Sequence, residues 1–306
     1  MTLTPILHQY DISPFSQKAQ KMMALKGLAW HSIEMPLISP KPDVEALTGG
    51  YRGTPILQLG ADIYIDNLMI ARALDSEYMG GLMLDAKGPL SIAAVYTWGE
   101  RFFVPLLHSA LATYKDEWEP SFLSDRKKVF PNIDFHSLAV KDLDRQSQVR
   151  AFLGMLDRQI DVGSPFLGGN SPDSWDIHAW GMVWMIRTAL PDLVPVVASL
   201  PEVDNWYKRV DSLGTGDRED VGFDEAWAAL QSGLPRPLPE TPSCEPLRNW
   251  LGKVVIVATG DADRGASLGT LLAVDYEHAV ISVEPLPGVE AQVWFPRLGY
   301  HISLDA

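Results

Sequence analysis

The stretch ILHQYDISPFSQKAQKMMALKG, residues 6–27, decides how the first part of this chain reads. Ile6–Tyr10 is short and apolar, as a buried strand should be. Ser13 and Pro14 suit a helix start, because a serine oxygen can accept an orphan backbone N–H and proline's fixed φ fits the next position. Apolar residues at helical spacing predict a helix over Phe15–Lys26, which Gly27 stops. Working outward, Trp30–Met35 predicts a second strand, Ser39–Pro42 a turn-rich loop and Asp43–Thr48 a short helix closed by Gly49 and Gly50. Thr54–Leu59 and Asp62–Asp66 read as two strands joined at Gly60 and Ala61, and Leu68–Tyr78 returns to helical spacing. The order βαβαββα predicts an α/β unit over residues 1–80.

Beyond it, Leu90–Tyr114, Ser137–Ile160, Ser174–Leu190, Val203–Leu213 and Phe223–Gln231 carry apolar residues three and four apart, so residues 88–232 read as an all-α domain. Residues 233–246 hold five prolines in fourteen positions. That composition predicts an extended, semi-rigid linker over 233–247. Lys253–Ala258, Gly269–Tyr276, Ala279–Glu284 and Ala291–Phe295 are β-rich runs between Gly, Pro and Asp turns, and predict a small SH3-like barrel over 248–306.

The chain has 306 residues, of which 46% are apolar, enough for well-packed cores. Its 25 basic and 39 acidic residues give a net charge of −14, which repels phosphate backbones and anionic lipid and disfavours nucleic acid as a partner. Apolar runs are too short to cross a bilayer, and no secretory signal is read at the N-terminus, so a cytoplasmic protein is expected. A single cysteine, Cys244, excludes an intramolecular disulfide, a CxxC pair and a cysteine-based zinc site. The seven histidines show no HxxxH or HExxH spacing, so no metal is expected. No GxGxxG or Walker sequence implies a nucleotide cofactor.

Ser13-Pro14-Phe15-Ser16 after the first strand, Gly53-Thr54-Pro55-Ile56 before the third and Asp66-Asn67 opening the third helix, followed by a helical domain, resemble the glutathione transferase superfamily. The resemblance covers residues 6 to about 231 and implies a thioredoxin-like N-terminal domain. Ser13–Lys18 and Leu47–Arg52 look most like a group of long bacterial and fungal transferase-like proteins. Glutathione is the co-substrate the resemblance implies. Its thiol has a pKa near ~8.5 and attacks electrophiles only as the thiolate, so a site must favour the anion. Ser13 is the implied activator, donating a hydroxyl hydrogen to the sulfur beside a helix N-terminus. The local sequence alone favours an ordinary N-cap before Pro14, and the resemblance is what puts the activator first. Tyr10, at the strand end, is the alternative activator. Because Ser13 stands where cysteine-type relatives carry a thiol, mixed-disulfide chemistry is disfavoured.

The resemblance further implies a cis Pro55, with the main chain of Thr54 or Ile56 meeting the ligand's cysteinyl amide, and Phe15 and Ser16 close by. Asp66 and Asn67 would hold the γ-glutamyl end, with Asn67 where relatives carry Ser or Thr. On so acidic a chain the ligand's carboxylates need local cations, for which Lys41 and Arg52 are the candidates, although a surface lysine is usually just solvated. Tyr96, Trp98, Phe102 and Phe103 could wall an apolar co-substrate, or simply pack a core. Asp173 and Asp176 read as a capping box and are set aside from catalysis. A symmetric homodimer is expected. The competing reading is a transferase fold turned into a non-catalytic binding platform, with the barrel as a partner-docking module.

Overall fold

The computed structural model describes residues 3–81, 88–131, 133–135, 142–160, 163–260 and 263–305. The chain opens with β1 (Ile6–Gln9), α1 (Pro14–Leu25), β2 (Ala29–Glu34), α2 (Pro42–Thr48), β3 (Ile56–Leu59), β4 (Asp62–Ile65) and α3 (Asn67–Glu77), the order that the sequence predicts. β2 runs parallel to β1, while β3 is antiparallel to both β1 and β4. β1, β3 and β4 are buried throughout, as strands covered on both faces must be. Inside this sheet His8 sits with Nε2 3.0 Å from Gln58 Oε1. Burial pushes its pKa down to about 4 although that hydrogen bond opposes the shift.

The helical half follows as α4 (Pro89–Thr113), α5 (Pro120–Val129), α6 (Leu143–Ile160), α7 (Ser174–Ala189), α8 (Val194–Ala198), α9 (Pro201–Asp211) and α10 (Phe223–Ser232). Of the helix expected over Ser137–Ile160, residues 137–141 lie outside the described residues. α5 was not expected, because PSFLSDRKKV has no apolar stripe; it buries only Asp125 and Val129. Its anchor is electrostatic, since Asp125 pairs with Arg52 at 3.1 Å and with Arg126 at 3.0 Å. Asp173 and Asp176 form the expected capping box at the start of α7. Asp176 also accepts hydrogen bonds from Leu167 N at 2.8 Å and Trp206 Nε1 at 2.7 Å, so its carboxylate ties the helical core together. α7 packs on α1, and between them Lys18 is wholly buried, with its ammonium 3.4 Å from His178 Nδ1 and above the Phe15 ring.

The largest departure from expectation is in the sheet. The C-terminal strands are β6 (Val254–Thr259), β7 (Ala266–Val274), β8 (His278–Leu286), β9 (Val289–Pro296) and β10 (Tyr300–Leu304). With β5 (Asp217–Asp220) they join the first four strands in a sheet that among the described residues is ten-stranded and ordered β10-β6-β7-β8-β9-β4-β3-β1-β2-β5. The expected SH3-like barrel is therefore corrected. β10 pairs with β6, and no pairing of β9 with β10 closes the sheet among the described residues. β9 instead runs parallel to β4, with Ile63 opposite Val293 and Tyr64 opposite Trp294. A strand edge presents unpaired N–H and C=O groups, and here β9 satisfies the β4 edge while β5 satisfies β2.

The proline-rich segment is pinned to the sheet at Arg236. Arg236 N donates to Asp62 Oδ2 at 2.9 Å, and its guanidinium reaches Tyr64, Ser76 and Glu77. Trp294 Nε1 donates to Asp62 Oδ1 at 2.9 Å. One buried carboxylate on β4 thus fastens both linker and extension, and its desolvation raises the Asp62 pKa to about 6. No helix among the described residues is long and apolar enough to cross a membrane.

Candidate functional site

A cleft of about 720 Å³ opens between the N-terminal sheet unit and α4, α5 and α7. Its polar wall comes from the turn after β1, the loop before β3 and the start of α3. The opposite wall is apolar and aromatic, with Phe103, Trp118, Phe122, Phe130 and Trp184.

Ser13 lies on the cleft wall, 7% exposed, at the N-cap of α1. Its Oγ accepts from Ser16 N at 3.3 Å, so the capping role is real. A hydroxyl that accepts through a lone pair keeps its own hydrogen to donate, so capping and donation into the cleft are compatible. Tyr10 also lines the cleft, but its ring lies under the Lys41 ammonium, 5.1 Å from the centroid.

The Thr54–Pro55 peptide bond is cis, and both residues line the cleft. Asp66 caps α3 through Oδ1, which accepts from Leu68 N at 2.9 Å, and its φ of 82° is the one left-handed value outside glycine among the described residues. Holding a non-glycine residue there costs free energy, of order 1–3 kcal/mol, which the surrounding contacts must offset. Asp66 and Asn67 both face the cleft. Two polar atoms on these segments, Thr54 Oγ1 and Asn67 Oδ1, are buried with no protein partner. Unsatisfied buried oxygens on a cleft wall are what a peptide-like ligand with N–H and ammonium donors would complete.

Lys41 is not the solvated surface lysine that its residue type suggests. It is 3% exposed, donates to the Arg52 carbonyl at 3.2 Å and lines the cleft. Burial, with Arg126 and Arg52 nearby, lowers its pKa to about 8, against the opposing pull of Asp125 and Glu45. Arg52 is held by Ser39 Oγ and Asp125 Oδ1, each at 3.1 Å, and by the Asp263 carbonyl at 2.9 Å. Lys41, Arg52, Arg126 and Arg264 therefore line one cleft in a protein of net charge −14.

Other expected residues stand elsewhere. Ser16 is fully buried inside α1, its hydroxyl without a partner and off the cleft. Ile56 is enclosed in the sheet, registered between His8 and Ile65, which leaves Gly53, Thr54 and Pro55 as the cleft residues before β3. Trp98 and Phe102 pack against Phe152 of α6, with ring centroids 4.4 and 4.1 Å away, and belong to the helical core. Tyr96 stacks on His178 at 4.2 Å. Phe103 does line the cleft, edge-on to Phe15 at 4.6 Å. On an α-helix, neighbouring residues point in different directions, so adjacent aromatics could not all share one wall. The sequence reading missed Phe122 and Arg126, carried by the helix it did not predict. It also missed Asp263 and Arg264, assigned to a remote barrel; the basic run after Asp125 was the available signal for the former pair. Among the described residues, no group of three or more His, Cys, Asp or Glu side chains is placed to hold a metal ion.

Residues 7–81 match the family described as glutathione S-transferase, N-terminal domain. Among solved structures, a GST-like protein from Pseudomonas syringae is 29% identical and superposes with a TM-score of 0.76, with 100% of each chain covered. The extension is therefore part of an architecture that the two chains share. A glutathione S-transferase from Sinorhizobium meliloti is more remote, at 16% identity and TM-score 0.49, over 68% of this chain and 88% of that one. No curated protein sequence matches the chain.

Proposed function

We propose, from the match of residues 7–81 to the glutathione S-transferase N-terminal domain family, that the chain is a serine-type, glutathione-using enzyme of that superfamily acting on an electrophilic, partly apolar substrate. The observation that carries this reading is the convergence on one cleft of the Ser13 hydroxyl, the cis Thr54–Pro55 segment with its unpartnered Oγ1, and Asn67 with its unpartnered Oδ1. In this reading Thr54 meets the cysteinyl part, Asp66 takes the γ-glutamyl ammonium, and Lys41 faces the glycyl carboxylate. Ser13 donates its hydroxyl hydrogen to the sulfur, which lowers the thiol pKa without the serine losing its proton. The thiol proton passes to solvent and the thiolate lone pair forms the S–C bond to an electrophilic carbon; in a substitution the bond to the leaving group breaks and its pair departs with that group, in an addition the π pair shifts onto the substrate and takes up a proton from solvent, and the aromatic wall holds the apolar part of the substrate. A cytoplasmic setting and a symmetric homodimer belong to the same proposal; light scattering would report twice 33.8 kDa for the dimer.

Direct titration of the bound thiol by its thiolate absorbance tests the assignment. The expected result is a thiol pKa at least about one unit below the free value of ~8.5, returning toward it in Ser13→Ala. An unshifted thiol, or a shift that survives in Ser13→Ala but is lost in Tyr10→Phe, would remove Ser13 from this role.

A further inference from the structure

The extension does more than continue the sheet. Residues 263–265, between β6 and β7, press onto the segment Gly49–Arg52 that leads into the cleft. Arg52 N donates to the Arg264 carbonyl at 2.8 Å, and Leu268 N donates to the Gly49 carbonyl at 2.8 Å. The approach is close enough that glycine is required on both sides. A Cβ on Gly50, whose φ is 123°, would lie 2.3 Å from the Ala266 carbonyl oxygen; one on Gly265, φ 77°, would lie 2.4 Å from that of Gly50. This contact fixes Arg264 as part of the cleft wall, which Tyr51 and Asp66 also line, half-buried and with its guanidinium within electrostatic reach of the Tyr51 hydroxyl and the Asp66 carboxylate.

An aspartate and an arginine on one wall form the complement of an amino-acid head group, whose ammonium seeks the carboxylate and whose α-carboxylate seeks the guanidinium. Arg is suited to this because its planar fork of N–H donors matches the two carboxylate oxygens. We propose that Arg264, delivered by the C-terminal extension, is a binding residue for the α-carboxylate of the γ-glutamyl end, with Asp66 taking the ammonium beside it. The extension is then a structural part of the ligand site. This assignment rests on the reading of glutathione as the ligand, and it gives Asn67 a lesser share of the carboxylate than Ser or Thr has in the relatives that the sequence resembles.

The test uses the full-length protein and two peptides in calorimetric titrations: glutathione, and 4-aminobutyryl-Cys-Gly, which is glutathione without the α-carboxylate. A hydrogen-bonded charge pair of this kind corresponds to about ten- to a hundredfold in affinity. The wild-type protein should favour glutathione by that factor, Arg264→Met should bind both peptides alike, Arg264→Lys should retain part of the preference, and Lys41→Met should retain all of it. If Arg264→Met weakens both peptides equally, or keeps the wild-type preference, the assignment is overturned, because a purely structural arginine would behave so. If the wild-type protein binds neither peptide, the glutathione reading itself fails, an outcome distinct from a failure of Arg264 alone.

Discussion

The charge on Lys41 offers a direct reading of how the cleft holds its ligand. Burial and two neighbouring guanidinium groups lower its pKa to about 8, so in the free protein the ammonium is lost within an accessible pH range. A ligand carboxylate placed against the charged form would raise that pKa again, and by linkage the affinity must fall as pH rises past the free-protein value. With a pKa near 8, the charged fraction drops from about nine-tenths at pH 7 to about one-tenth at pH 9, so affinity falls by about tenfold, or about 1.4 kcal/mol. S-methylglutathione is the ligand to use, because it has no thiol to titrate. Its own amino group loses a proton over part of this range, but equally for the wild-type protein and for Lys41→Met. The expected outcome in calorimetry is a dissociation constant that climbs about tenfold more steeply from pH 7 to pH 9 in the wild type than in Lys41→Met. Equal pH dependence in the two proteins would refute the placement of a carboxylate at Lys41.

Two buried groups give stability signatures of opposite sign, each read as the difference between wild type and variant in urea unfolding. His8, lowered to about 4 by burial, is neutral in the fold and protonates on unfolding below 6.5, so acid weakens the wild type by about 2 kcal/mol between pH 7 and pH 5; His8→Gln should lose that dependence. Asp62, raised to about 6, is favoured in its protonated form by the fold, so it adds about 1 kcal/mol of stability on the same descent, which Asp62→Asn should abolish. A variant whose pH slope equals that of the wild type would contradict either assignment. Gly50→Ala, forced against the Ala266 carbonyl at a left-handed φ, should cost at least about 2 kcal/mol and expose residues 263–266 to proteolysis; unchanged cleavage there would show that the loop does not depend on this contact.

The N-terminal unit was legible because its signals are local. Ser13 at an N-cap, Pro14 in the first turn, and Gly27 and Gly49 at helix ends each act through the few residues beside them, and the structure has every element of βαβαββα in its expected place. α5 was illegible for the converse reason, since what holds it is the Asp125–Arg52 pair, across 73 positions of sequence. β5 reads DRED and shows no β pattern, yet it completes the edge of β2, with Arg218 clamped between Asp11 and Asp220 at 2.8 Å.

The extension shows where such local reading stops. Alternating apolar runs announce strands but not their partners, because the same pattern fits closure on itself or pairing with a distant edge. What decides between them is a contact that no periodicity records: Trp294 Nε1 and Arg236 N converge on Asp62, a buried carboxylate inside a strand that would otherwise be an edge. Burying an acid there without donors would be costly, and the linker and extension that bury it also supply them. The same dependence reaches the cleft, because the chain that returns along β4 is the one that carries Arg264 to Asp66. A truncation before residue 233 would thus expose the β4 edge, strip Asp62 of its Arg236 and Trp294 donors and remove a cation from the cleft wall in one step. The added strands and the cleft are consequently one physical unit, although they lie at opposite ends of the chain.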